Sequence, residues 1–360
     1  MDYSSPIFNE NSLTLYDFVS SLTPLPTALI PEQWAQPIQM MSENLPLFTQ
    51  FGFETHLGGD QVDFAVRIGS AELTEPTINA FRRLAKRLNE PVWDRIITLL
   101  QLPIVQDAWL EFDIEAQQSE LHVPALFVSQ KDKQMVGQNK TIPRPIYNLL
   151  PLMHGTSIQQ ETWDMLETIY ASLPTNAQVY QIGIMLSREQ VGLRMEIRCL
   201  SSEEMMTLLQ KCGWVGDKVA LKKTVDYWGA LTDIVYLTFD ILGDKIGPKI
   251  GLELIFNGIL PIAREPRWTA LTQSLVTNKL CSLEERDAIL NWAGIVSETN
   301  SDENWNANLN AAQSLFGNSA EMVIKKFLNH IKIVFQHSDV TQAKVYFGGQ
   351  LGWVINGKLY

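Results

Sequence analysis

The chain has 360 residues, 46 % hydrophobic and 19 % charged, with a formal net charge of −12. That composition excludes a disordered chain and leaves enough material for one large core or two ordinary ones. The acidic balance argues against nucleic acid, which needs a basic field to displace counterions, and no apolar run is long enough to span a membrane. Cys199, Cys212 and Cys281 form no CxxC pair, and the N-terminus lacks a basic region followed by an apolar stretch, so the expected setting is reducing and cytoplasmic.

Residues 1–50 carry Pro6, Pro24, Pro26, Pro31, Trp34 and Pro37 without clear periodicity, and read as a lead-in packed on the body. A first hairpin is expected from strands 52–57 and 61–68 around Gly58-Gly59-Asp60. Thr74, Glu75 and Pro76 then open one long helix to about Leu100. A second hairpin occupies 105–115 and 121–129. The proline-bearing stretch 131–151 reads as a loop, and a helix over 159–173 leads to a third hairpin, 179–186 and 191–200. Ser201-Ser202-Glu203-Glu204 caps the next helix. A fourth hairpin joins 234–242 to 249–256 through Gly243 to Pro248. Helices follow at 268–277 and after Ser282, whose Glu285 completes a capping box. Residues 297–308 are polar and expected to be mobile. A last helix from about Ala320 runs into a fifth hairpin, 330–337 and 341–348. Residues 51–350 thus form one domain of repeated helix-hairpin units, and 351–360 a tail.

Each strand alternates apolar and polar residues, so each has one greasy and one charged face. Hairpins need helices over their apolar faces, and a sheet of about ten strands tends to close because closure removes its edges. The expected fold is therefore α+β: an antiparallel barrel of about ten strands, helices outside, with a lumen too wide for side chains to fill. Val62, Phe64, Leu110, Phe112, Met195, Ile197, Leu237, Phe239, Leu252, Leu254, Ile333 and Phe347 should face the helices. Asp63, Arg67, Trp109, Glu111, Asp113, Arg194, Glu196, Arg198, Tyr236, Asp240, Glu253, Lys332, Lys344 and Tyr346 should face inward. An open sheet wetted on one side would give the same alternation; Trp109, Met185 and Tyr236 on the polar face favour an enclosed one.

Two residues apart on one strand face, Glu111 and Asp113 are spaced for acid–base work, roughly 6–7 Å along the strand. They would equally serve by neutralising Arg194 or Arg198. The five histidines show no metal spacing, and no GxSxG elbow or GxxxxGK loop occurs.

With Lys344-Val345-Tyr346 on one strand, the repeated helix-hairpin unit resembles the aromatic prenyltransferases of the ABBA type, whose ten-stranded barrel holds its substrates. The resemblance implies an allylic diphosphate held by Arg67, Arg194, Arg198, Lys332 and Lys344. It places Tyr346 and Tyr236 beside the allylic cation, with Trp109 and Glu253 on the shielding or acceptor side. Glu111 or Asp113 would orient an aromatic or peptide acceptor, in natural-product biosynthesis. No cofactor is implied, and the absence of a DDxxD motif points to metal-independent chemistry. The inward carboxylates Asp63, Glu111, Asp113, Glu196, Asp240 and Glu253 depart from that pattern. They keep open a barrel that binds a cationic peptide or metabolite, or an acid–base enzyme of the isomerase or epimerase kind.

Overall fold

A computed structural model of the chain describes residues 13–115, 121–130, 140–188, 191–257, 265–300, 305–314, 320–355 and 358–359. Helices α1 (Leu15–Ser20) and α2 (Ala35–Glu43) precede the first hairpin, β1 (Gln50–Leu57) and β2 (Val62–Gly69). Then come α3 (Glu75–Leu88), α4 (Val92–Leu100), β3 (Val105–Asp113), β4 (Ala125–Gln130), α5 (Ile146–His154) and α6 (Gln160–Ser172). The third hairpin is β5 (Gln178–Ile184) and β6 (Leu193–Arg198), followed by α7 (Ser202–Lys211) and α8 (Lys218–Gly229). The fourth is β7 (Ile234–Leu242) and β8 (Lys245–Ile255), then α9 (Arg267–Thr277), α10 (Leu283–Trp292), β9 (Gly294–Ser297) and α11 (Ala307–Ser314). The last hairpin is β10 (Ala320–Gln336) and β11 (Asp339–Ile355), with the short β12 (Lys358–Leu359) on its edge.

Strands β1 to β8 pair in sequence, all antiparallel. β8 then pairs with β10, β10 with β11, and β11 with β1, which closes a ten-stranded barrel. The expected parity holds. Phe64, Leu110, Phe112, Met195, Leu237, Leu252, Ile333 and Phe347 are buried in one continuous core with the helices. Ring contacts mark where helix meets strand: Trp93 of α4 lies 6.3 Å from Phe112 of β3, and Trp292 of α10 lies 5.0 Å from Phe347 of β11. Burial of such faces at roughly 25 cal/mol per Å² is what holds the helices to the barrel.

Several elements differ from expectation. The helix over 74–100 is two helices: Asn89 ends α3 in the left-handed region (φ 53), and Pro91, just beyond, caps α4. Within 131–151, residues 146–151 begin α5, because Ile146, Leu149, Leu150 and Met153 form a buried stripe that outweighs Pro151; residues 131–139 lie outside the described part. The turn at 243–248 shrinks to Gly243-Asp244, and Pro248 sits in β8 where the ladder with β7 is interrupted between Phe239 and Ile241. The stretch 297–308 includes the end of β9, a tight turn at Glu298–Asn300 and the start of α11.

The largest correction lies at Ala320, where β10 replaces the expected helix. Its first half, Ala320 to Leu328, pairs with Ile355 to Phe347 of β11 on one side and, through Val323 to Lys326, with β9 on the other. Those two ladders hold the segment extended, with Met322 and Ile324, two residues apart, in the core. β11 likewise runs on through residues 351–355. No helix among the described residues is long and apolar enough to cross a membrane.

Candidate functional site

The barrel encloses a cavity of about 450 Å³. Among the inward residues expected from the alternation, Arg67, Trp109, Glu111, Arg194, Glu196, Tyr236, Glu253, Lys332 and Tyr346 line it together. The lining stops short of His56, Asp63, Asp113 and Asp240, which sit toward the hairpin-turn end of the barrel and form its floor. At the opposite end the walls carry Gln50, Asp107, Tyr180 and Asn329.

Every strand from β2 to β7 contributes to one transverse row. Arg67 faces Trp109, which faces Phe127, then Gly183, Arg194 and Asp240. Two aromatic rings thus lie between two guanidinium groups. Gly183 leaves room for the Phe127 ring in that row, since a Cβ there would stand 2.3 Å from two of its carbons. Gly251 similarly leaves room for the Lys332 side chain to cross β8. Lys332 then reaches Glu253 at 3.2 Å.

Charge is arranged as pairs. Arg67 donates twice to Asp107 Oδ2, at 2.8 and 3.1 Å, and Arg194 clamps Asp240 at 2.7 and 3.1 Å. Lys344 donates to Glu54 beneath the floor. Burial works against the Glu54 carboxylate, yet Lys344, His56 and Lys332 outweigh it and hold its pKa well below the usual range. Glu253 is also held down, by Lys332 and His330 against its burial. Two carboxyl groups go the other way. Burial first, then the charges of Glu54 and Asp63, push Glu111 up to about 8 despite Arg194 and Lys344. Burial and the neighbouring Glu253, with which it hydrogen-bonds, raise Glu196 well above the carboxylate range. Among the described residues neither Glu111 nor Glu196 makes a salt bridge. His330 stacks on Tyr346 with centroids 4.1 Å apart, and burial lowers its pKa, so the imidazole is neutral at pH 7.

Three of the anticipated site residues are not among the chamber's lining. Asp113 lies at the turn end, 38 % exposed, where it accepts from Ser187 at 2.8 Å and sits 3.7 Å from Arg188. Arg198 donates to Gln178 at 2.8 Å and covers the Tyr180 ring at 4.7 Å. Lys344 lies behind Glu54. Sequence reasoning missed Glu54, Asp107, Tyr180, Phe127 and His330 as lining residues. Glu54 alternates with Phe51 and Phe53, and Asp107 shares the parity of Trp109 and Glu111, so both were available from the same period-two rule.

No known protein-family model matches this sequence, and no curated protein is significantly similar to it. Solved structures are similar in fold. They include AnaPT from Neosartorya fischeri, at 10 % identity, 83 % of this chain and 77 % of that one, TM-score 0.48. A 6-dimethylallyltryptophan synthase from Micromonospora olivasterospora in complex with DMASPP and Trp matches at 11 % identity over 93 % and 97 %, TM-score 0.49. A 6-dimethylallyl tryptophan synthase matches at 10 % identity over 93 % and 96 %, TM-score 0.52. The chain therefore shares the barrel fold of an aromatic prenyltransferase, as the helix-hairpin repeat implied.

Proposed function

We propose that this barrel is an enzyme of the aromatic-prenyltransferase kind, binding an allylic diphosphate and an electron-rich acceptor in one chamber. The observation that carries the reading is the transverse row in which Trp109 and Phe127 lie between Arg67 and Arg194. Guanidinium groups suit a diphosphate, and aromatic faces suit the allylic cation formed as its carbon–oxygen bond breaks. Arg67, Arg194 and Lys332 would meet the diphosphate within the chamber and Arg198 from beside Tyr180, while Lys344 would reach it only on release from Glu54. Tyr346 and Tyr236 would shield the cation, with Glu253 on the acceptor side. The new bond forms between the allylic carbon and the acceptor, whose proton passes to the ionised fraction of Glu111, so turnover should rise as pH approaches 8; Asp113, on the same strand face, would act from the turn end. Purified protein incubated with dimethylallyl, geranyl and farnesyl diphosphates, and with tryptophan, tyrosine or peptides, should give an acceptor heavier by the prenyl group on mass spectrometry. Neither turnover nor calorimetric binding with any pair would overturn the proposal.

A second reading rests on the pairing of charge. Arg67, Arg194, Lys332 and Lys344 each already contact a carboxylate, while among the described residues Glu111 and Glu196 form no salt bridge. Such a chamber holds negative charge in reserve, which suits a cationic peptide or metabolite. Thermal stabilisation by pyrophosphate alone supports the transferase; stabilisation by a basic peptide alone supports the binding barrel.

A further inference from the structure

The floor of the barrel holds a second constellation, and it stands apart from the transferase reading. Glu54 and His56 are two residues apart on β1, and Glu54 faces Asp63 of β2 directly across the ladder. Asp63 in turn faces Asp113 of β3, so three carboxylates stand in a row on one sheet face. Like charges set opposite one another in a ladder are destabilising unless a cation lies among them. Glu54 and Asp63 are buried, at 3 % and 5 % exposure.

His56 Nε2 points between the two carboxylates, 3.4 Å from Glu54 Oε1 and 3.5 Å from Asp63 Oδ2. Among the described residues that nitrogen is buried and makes no hydrogen bond closer than those two contacts. Both separations exceed a charge-assisted N–H···O bond, which closes to roughly 2.7–2.9 Å. They match instead the edge of a tetrahedron, about 3.3–3.4 Å between donors that each lie ~2.0–2.1 Å from a central ion. The ligand atoms of all three side chains lie within 4.8 Å of one another.

The surroundings orient these donors as an outer shell does around a metal. Gln61 Nε2 donates to Asp63 Oδ1 at 3.0 Å, leaving Oδ2 for the centre. Gln342 Nε2 lies 3.0 Å from His56 Nδ1 and holds the ring with Nε2 inward; with a metal on Nε2 the ring proton moves to Nδ1 and the Gln342 amide turns so that its oxygen accepts it. Lys344 donates to Glu54 Oε1 and is the competing cation.

We infer that Glu54, His56 and Asp63 form a binding site for a divalent transition metal of the zinc class at the barrel floor. One imidazole and two carboxylates are borderline donors suited to zinc or cobalt(II), with a fourth position left for water. Glu54 also lines the chamber, so the site would adjoin the ligand without depending on which ligand enters.

The test is a titration of the chelator-treated, full-length protein with cobalt(II) alone, read by its visible absorption, with zinc as competitor. Wild type should bind one equivalent with the intense bands of a four-coordinate ion. His56→Gln and Asp63→Asn should weaken binding more than about 100-fold, with folding checked by circular dichroism. Lys344→Met should tighten it several-fold by removing the competing charge, an effect that misfolding cannot imitate. Absence of stoichiometric binding, wild-type affinity in both ligand variants, or weaker binding in Lys344→Met would each overturn the inference. No prenyl diphosphate enters the assay, so its outcome is separate from that of the transferase proposal.

Discussion

Replacing Glu111 with glutamine should stabilise the protein, and by more at pH 8 than at pH 5. Burial, reinforced by the charges of Glu54 and Asp63, lifts the Glu111 carboxyl from its ordinary 4.5 to about 8. Between those two values the folded barrel holds a proton that the unfolded chain has released. Stability contributed by a group with a raised acid pKa therefore falls as pH rises, by about 1.4 kcal/mol per pH unit, and levels above pH 8. Glutamine keeps the shape and carries no charge in either state, so the variant escapes this slope. At pH 5 the two proteins should be within about 1 kcal/mol of each other. By pH 7 the variant should lead by about 2–3 kcal/mol, allowing for partial access of solvent to the chamber. Urea unfolding followed by tryptophan fluorescence at pH 5, 6, 7 and 8 measures the difference directly. A stability difference that stays flat across that range would mean that Glu111 is ionised in the folded barrel, and the account of the chamber's charge would be wrong.

Phe239 faces the helices and Thr238 the lumen, so Phe239→Ala should cost about 3–5 kcal/mol in urea unfolding and Thr238→Ala less than about 1; equal costs would refute the assigned faces. Arg67→Ala should destabilise more than Asp107→Ala. The first leaves a carboxylate 6 % exposed without its partner, whereas the guanidinium freed by the second is 28 % exposed and can be hydrated. The double variant should reveal a coupling of about 1–3 kcal/mol; none would mean that the pair is incidental. Gly183→Ala should cost about 1–3 kcal/mol through the Phe127 ring and nearly nothing in a Phe127→Ala background. A penalty that survives in that background would place the strain in the backbone.

What could be read from the sequence was local. Alternation over 193–198 and 234–242 assigns faces because successive side chains on a strand must oppose one another. The capping signals at Ser201 and Ser282 worked because their bonds close within three residues, Glu204 and Glu285 each returning to its cap. Prolines misled in both directions for a related reason. Pro91 opens a second helix after Asn89 has ended the first, though the apolar periodicity continues past both, while Pro151 sits inside a helix held by its buried stripe. The strand at Ala320 was illegible because its conformation is imposed by partners: β9 some thirty residues earlier and β11 after the turn.

The chamber shows where such reading ends. Period-two parity says that Arg194 and Asp240 both face inward, but only register, with Arg194 opposite Asp240, says that they neutralise each other. Lys344 and Glu54 meet across 290 positions of chain. Counting inward charges suggests a lumen crowded with carboxylates. Once the pairs are formed, Arg67, Arg194, Lys332 and Lys344 each consume one, protonation removes most of the charge of Glu111 at neutral pH, and Glu196 is pushed toward its neutral form by burial and Glu253. The chamber is then close to neutral, and a ligand of either sign must be accommodated by moving protons or breaking pairs. An anion needs Arg67 and Arg194 to release a carboxylate, whereas a cation needs only Glu111 or Glu196 to ionise. Proton uptake with the first and release with the second would be opposite in sign. Calorimetric titration in buffers of different ionisation enthalpy therefore decides between the two readings, even with a ligand that undergoes no reaction.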